Sequence, residues 1–271
     1  MTAAKPDLGR LRHHVPAGML AAVATLALVL APSQIGPTGL LVTVALLQIG
    51  LITAWSRATG TRGYVGSLVI GAATAVSADT VLALQSAPDL GPLAAVLALA
   101  FIAAMLHQLT RSAPRRLATA SLAGISTLAI ALVALSTFLL LFRVTDGSTV
   151  YVATVVTAGG AVVVGHLVDL LLPVPRITPR VPRGLLGLLL SVGTGIAASV
   201  TLSKPSGLID NLGAAIVGAI IGLVSALLAV AASYIAADRL QPSWAHPWLQ
   251  ALLPLAGVAP VCYFLALRVI G

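Results

Sequence analysis

Ionisable side chains are scarce in this sequence, and four within the long apolar stretches stand out as candidates: Asp79, His107, His166 and Asp169. A charged group at the centre of a bilayer costs about 2.5–3.5 kcal/mol on insertion scales, so each is a candidate for ion, proton or substrate chemistry. His166 and Asp169 share one helical face, where the carboxylate can orient the imidazole or both groups can touch a cation. Two ligands do not complete a metal site, and no metal or other cofactor is expected. The alternative is a pair at the membrane boundary, with Arg176 or Arg180 as the partner. Asp79 lies towards the outer leaflet, where it either reaches headgroup water or relays protons, and His107 closes the fourth apolar stretch. His13 and His14 adjoin a basic arm and read as solvated. Cys262 is the single cysteine, which excludes an internal disulfide or thiolate cluster and leaves a buried thiol.

Positioning these groups falls to the apolar stretches. Apolar residues make up 59% of the chain and charged residues 8%, too few to solvate a large water-facing surface. Nine stretches are long enough, at 1.5 Å per residue, to cross about 30 Å of hydrocarbon. They run Val15–Ala31, Thr38–Trp55, Tyr64–Leu84, Leu90–His107, Leu117–Phe142, Ser148–Leu172, Gly184–Leu202, Leu208–Ala237 and Leu249–Ile270. Continuous rather than alternating hydrophobicity selects helices over a membrane barrel. Pro32, Gly36 and Pro37 are expected to break the first stretch from the second, and Pro173 to Pro182 the sixth from the seventh. Connections are short, so residues 1–271 form one all-α polytopic bundle, with residues 1–14 a short basic cytoplasmic arm. The first stretch lacks a small-residue cleavage pattern and reads as a span rather than a removable signal.

Charge orients the bundle. Lys5, Arg10, Arg12, Arg57, Arg62, Arg111, Arg115, Arg116, Arg176, Arg180, Arg183 and Arg239 all fall in alternate gaps, whereas the other side receives Arg143, Lys204 and Arg268. The positive-inside rule then puts the N-terminus in the cytoplasm and the C-terminus outside, in a multi-pass protein of the cell membrane. The net charge of +8 is a topological signal; the basic residues are dispersed and lack interleaved aromatics, which argues against nucleic acid as a partner. Trp55, Trp244 and Trp248 fall at boundaries, as interfacial anchors do. Gly218 and Gly222 form a GxxxG, with Gly193 and Gly195 offering small surface nearby, a pattern for close packing within the protein rather than a dimer seam.

The stretch TAGGAVVVGHLVDLLLPVPRITPRVPRGLLGLL, Thr157 to Leu189, resembles the CDP-diacylglycerol synthase (phosphatidate cytidylyltransferase) family. There a helix bearing S-D-T-G-x-Y leads into a loop similar to P-x-I-S-P-K-K-[ST]-x-E-G. The ending GVAPVCYFLALRVIG, Gly257 to Gly271, looks like the A-A-P-V-x-Y segment that closes the family's chains. The resemblance implies a nine-helix fold and a site for phosphatidate and CTP. The family's functional residues are not retained. Its metal-binding helix Asp falls on Ala158 and the adjoining Thr on Gly159, while the loop's lysines fall on Arg180 and Val181. Its K-D-x-G-x-x-x-P-G-H-G-G-x-x-D-R-x-D-S signature meets ADRLQPSWAHPWLQALLP, which puts Gln250 and Leu253 where two metal-binding Asp residues belong.

Joining two anionic phosphates needs Mg²⁺ held by carboxylates, so the resemblance without those acids implies a catalytically inactive relative. Its work would be lipid binding or a partner and scaffold role, with Arg176, Arg180 and Arg183 clamping the phosphate of an anionic phospholipid. Homo- or hetero-oligomers with membrane proteins are the implied partners. Two other readings stand beside it. A small transporter or export subunit would use Asp79 and His166 as relays. A lipid-modifying enzyme with a relocated site would need His166, Asp169 and Asp238 to converge.

Overall fold

The computed structural model describes residues 8–61, 63–112, 117–145, 147, 149–172, 174–178, 181–203, 208–237 and 243–270. Among them, nine helices form the bundle: α1 Leu8–Ile35, α2 Pro37–Thr59, α3 Tyr64–Leu84, α4 Gly91–Thr110, α5 Ala118–Val144, α6 Thr149–Leu171, α7 Leu185–Ser203, α8 Leu208–Ala237 and α9 Ala245–Ile270. All nine are long and apolar enough to cross a membrane, so the chain is a polytopic membrane protein. Between α6 and α7 stands a small antiparallel hairpin, β1 Arg176–Thr178 and β2 Val181–Gly184, with Arg176 opposite Gly184 and Thr178 opposite Val181.

The core is built around α5, whose residues from Leu128 to Leu141 are buried with the exception of Ile130. Leu28, Leu51, Leu82, Leu132, Leu135, Phe138, Tyr151, Leu249 and Leu255 pack in the same cluster. Peripheral helices expose apolar rows at helical spacing, such as Val65, Val69 and Val76 on α3 or Leu186, Leu189 and Leu190 on α7, and these face lipid. On α7 and α8 small residues do the packing. A Cβ on Gly222 would stand 2.9 Å from Ser191 O, and one on Gly218 would run into the backbone of Gly195, so the GxxxG serves an intramolecular crossing. Gly193 meets no described atom within 4 Å.

The boundaries differ from expectation at three places. Pro32 does not end the first span, since α1 continues through it to Ile35 and the chain turns at Gly36, whose φ is 68°. The carbonyl that Pro32 leaves without a helical donor, Leu28 O, accepts instead from Tyr151 Oη at 2.8 Å. The basic arm is helical from Leu8, so His13 and His14 ride on α1. The ninth helix starts at Ala245, one turn before Leu249. Trp55 also departs from an interfacial role, being 3% exposed in the core, while Trp244 is exposed and Trp248 packs on Gly50.

Candidate functional site

The start of α1, the end of α6, the hairpin, the end of α8 and the start of α9 meet at one end of the bundle, and there Arg183 turns inward. Its guanidinium is 3% exposed and every nitrogen has a partner: Nη1 donates to Asp169 Oδ2 at 3.1 Å, Nε to Ser233 Oγ at 3.0 Å, and Nη2 to His166 Nε2 at 2.9 Å. Asp169 uses its second oxygen as well, accepting from Gly184 N at 2.8 Å. Burial draws the Arg183 guanidinium below its ordinary range and the Asp169 carboxylate opposes that; an arginine stays charged in such a setting.

The two histidines next to it continue the chain of bonds. His14 Nε2 lies 2.8 Å from Pro182 O, a pure acceptor, so Nε2 carries the proton. That leaves His14 Nδ1 an acceptor, so the proton of a neutral His166 sits on Nδ1, 3.2 Å away, while Arg183 Nη2 lies 2.9 Å from Nε2 and 3.5 Å from Nδ1, over the face of the same ring. Arg183, His166, His14 and Pro182 are thereby linked in a ring that the Pro182–Arg183 peptide bond closes, and each histidine N–H in it has an acceptor. Pro254 leaves the Gln250 carbonyl without its helical donor, and that carbonyl faces the His166 ring. Gln250 Nε2 donates to His13 Nδ1 at 3.3 Å. Small residues make the room: a Cβ on Gly187 would strike the Asp169 carboxylate, and one on Gly165 would stand 2.5 Å from Ser191 Oγ.

These placements correct several expectations. Asp169 and His166 do pair with an arginine, but it is Arg183, because the hairpin folds β2 against the helices and leaves Arg176 on the exposed strand β1. Arg180 lies outside the described residues, as does Asp238, so a convergence of Asp238 with His166 and Asp169 has no described geometry. His14 is 1% exposed rather than solvated. Arg183, read as a loop cation for lipid phosphate, has its donors engaged inside the protein. Neither Ser233 nor Gln250 carried a distinguishing signal in the sequence as a partner of this group.

A second polar group lies between α2, α3 and α5. Asp79 is buried, with 6% of its surface exposed; its Oδ1 accepts from Ser136 Oγ at 2.6 Å and Gln48 Nε2 at 3.2 Å. Gln48 was legible as an amide in the middle of an apolar run, Ser136 only as one serine among many. His107 stands apart, half-buried against Gly63 and Gly66, with no partner for Nε2 among the described residues.

The positions at which the resemblance would place functional side chains are apolar or amide-lined and tightly packed. Ala158 is fully buried, a Cβ on Gly159 would run into Thr25, Gln250 is fully buried beside His13, and Leu253 packs on the main core. Among the described residues no three His, Cys, Asp or Glu side chains are grouped to hold a metal ion. No protein-family model, curated protein or solved structure matches the chain.

Proposed function

We propose that this protein is a phosphatidate cytidylyltransferase-like membrane protein that binds anionic lipid headgroups and has given up nucleotide transfer, with its N-terminus in the cytoplasm of a cell whose plasma membrane it spans. The observation that carries the lipid reading is the hairpin: Arg183 ties β2 into the bundle, and Arg176 on β1 is left exposed at the same end. An arginine held on a short strand at a membrane boundary is suited to bidentate contact with a phosphate. Arg180 adjoins it in the sequence. The loss of transfer chemistry is supported by Ala158, Gln250 and Leu253, which supply no carboxylate, and by Asp169, whose two oxygens are both committed to Arg183 and Gly184.

Phosphatidate binding in nanodiscs, measured by native mass spectrometry or lipid competition, tests this. Replacing Arg176 and Arg180 with Gln is expected to weaken phosphatidate retention about fivefold per arginine, in a salt-sensitive manner, since a basic side chain near an anionic surface contributes about 1 kcal/mol. Neutral phosphatidylcholine should be retained equally. Arg183 stays unmutated in this test because its loss would release the hairpin. Equal phosphatidate retention sinks the lipid reading, and pyrophosphate release from CTP, phosphatidate and Mg²⁺ sinks the non-catalytic one.

A further inference from the structure

The polar group between α2, α3 and α5 plays no part in the hairpin or in headgroup binding, and its hydrogen bonds do not balance. Asp79 Oδ1 is crowded with donors: Ser136 Oγ at 2.6 Å and Gln48 Nε2 at 3.2 Å. Gln48 Nε2 also lies 2.9 Å from Ser136 Oγ and 3.3 Å from Leu132 O. Among the described residues nothing donates to Asp79 Oδ2, and no basic side chain comes within ion-pair distance of it. At the other end of the same amide, Gln48 Oε1 is buried without a donor, in a side chain only 1% exposed.

The charged and titratable groups on the helices packed around α3 do not resolve the imbalance. Arg57 of α2 and His107 and Arg111 at the end of α4 belong to the opposite end of α3, where His107 lies against Gly63 and Gly66. Arg143 of α5 is nearer in sequence terms, two turns beyond Ser136, yet its guanidinium donates to Leu82 O at 2.7 Å and Gln85 O at 2.8 Å, capping the last carbonyls of α3. An ionised Asp79 would thus leave Oδ2 without a protein donor, next to an amide whose own oxygen also lacks one, and such groups are costly away from water. A proton on Oδ2 neutralises the carboxylate and supplies a donor that the Gln48 amide, already bonded to Oδ1 through Nε2, can accept at Oε1.

We propose that Asp79 is a proton-binding site inside the membrane, the proton being held between its second carboxyl oxygen and Gln48 Oε1. Ser136 lets the site exist in both states. Its hydroxyl donates to Oδ1 at 2.6 Å whether Oδ2 is ionised or carries the proton, and its oxygen accepts from Gln48 Nε2 at 2.9 Å. No bond other than O–H forms or breaks, and the proton exchanges with water.

Infrared spectroscopy of the full chain in lipid nanodiscs, labelled with ¹³C-carboxyl aspartate, tests this directly because the chain has only 7 acidic side chains, all Asp. At neutral pH the expected spectrum contains a protonated-carboxyl carbonyl band that Asp79→Asn removes. Gln48→Leu should move that band to higher frequency by deleting the acceptor, and Na⁺ at constant pH should leave it in place. Should Asp79→Asn fail to fold, Ser136→Ala makes the assignment, since it strips a hydroxyl from this carboxyl alone and shifts the band only if the carboxyl is that of Asp79. Absence of any band that responds to these substitutions at neutral pH overturns the proposal. So does loss of the band on adding Na⁺, which would make this a sodium site.

Discussion

Arg183 is the residue on which most of the described polar structure depends. A guanidinium and a carboxylate buried together contribute little net stability against an apolar pair of the same size, yet removing one of them strands the other. Arg183→Met or Asp169→Leu alone is therefore expected to destabilise the protein by about 3–5 kcal/mol, and the double replacement by clearly less than the sum. Thermal unfolding in detergent, followed by helical circular dichroism, measures this cycle. Simple additivity would show that the two groups do not depend on one another. The hydrogen-bond ring makes a second claim about protons: solid-state ¹⁵N spectra of labelled histidine should report His14 protonated on Nε2 and His166 on Nδ1. The reverse tautomer at either position would break the ring as drawn.

Among the helices, α7 and α8 show how this bundle holds together without a hydrophobic gain on association. Lipid tails are as apolar as leucine, so close backbone approach has to supply dispersion contacts, and Gly195, Gly218 and Gly222 permit that approach. Gly218→Leu is expected to force α7 and α8 apart and cost about 1–3 kcal/mol, as overpacking does. Gly193→Leu, on the same stretch of α7 but with no described atom within 4 Å of its Cβ position, should be close to neutral. Equal losses from both would mean that helix propensity, not the crossing, sets the cost. The hairpin obeys a different logic. Its few ladder bonds are marginal alone, and it stands because Asp169 holds Gly184 N and His14 holds Pro182 O.

The bundle as a unit presents its ends to two different compartments, and the distribution of basic residues argues which is which. Reporter fusions after Thr59, after Arg111 and within the hairpin should be active only as cytoplasmic reporters, and fusions after Gln85 and Thr145 only as external ones. The inverse pattern would reverse the proposed orientation while leaving the fold untouched. Arg143 has a structural reason to sit on the side with few basic residues, since it caps the end of α3 and is not free to act as a topological signal alone.

Span number and extent were legible in the sequence because crossing a bilayer is a local requirement: enough consecutive apolar residues, ended by turn formers. Tyr64–Leu84 and Leu208–Ala237 follow from that rule to the residue, and the buried thiol of Cys262 follows from its place in such a run. Where each side chain points did not follow, because a lipid-facing leucine and a core leucine look alike in a membrane sequence. Trp55 could be an anchor or a core residue, and only the packing of α2 on α5 and α9 buried it. The choice of Arg183 over Arg176 as the partner of Asp169 rests on a hairpin too short to be periodic, and the bond between His14 and His166 joins residues 152 positions apart. Asp79 could be picked out as an acid in an apolar run, but its missing donor became visible only when α2 and α5 brought Gln48 and Ser136 to the same carboxyl group. Local hydrophobicity fixed the spans; long-range contact, which no local pattern encodes, decided how the few polar groups inside them are matched.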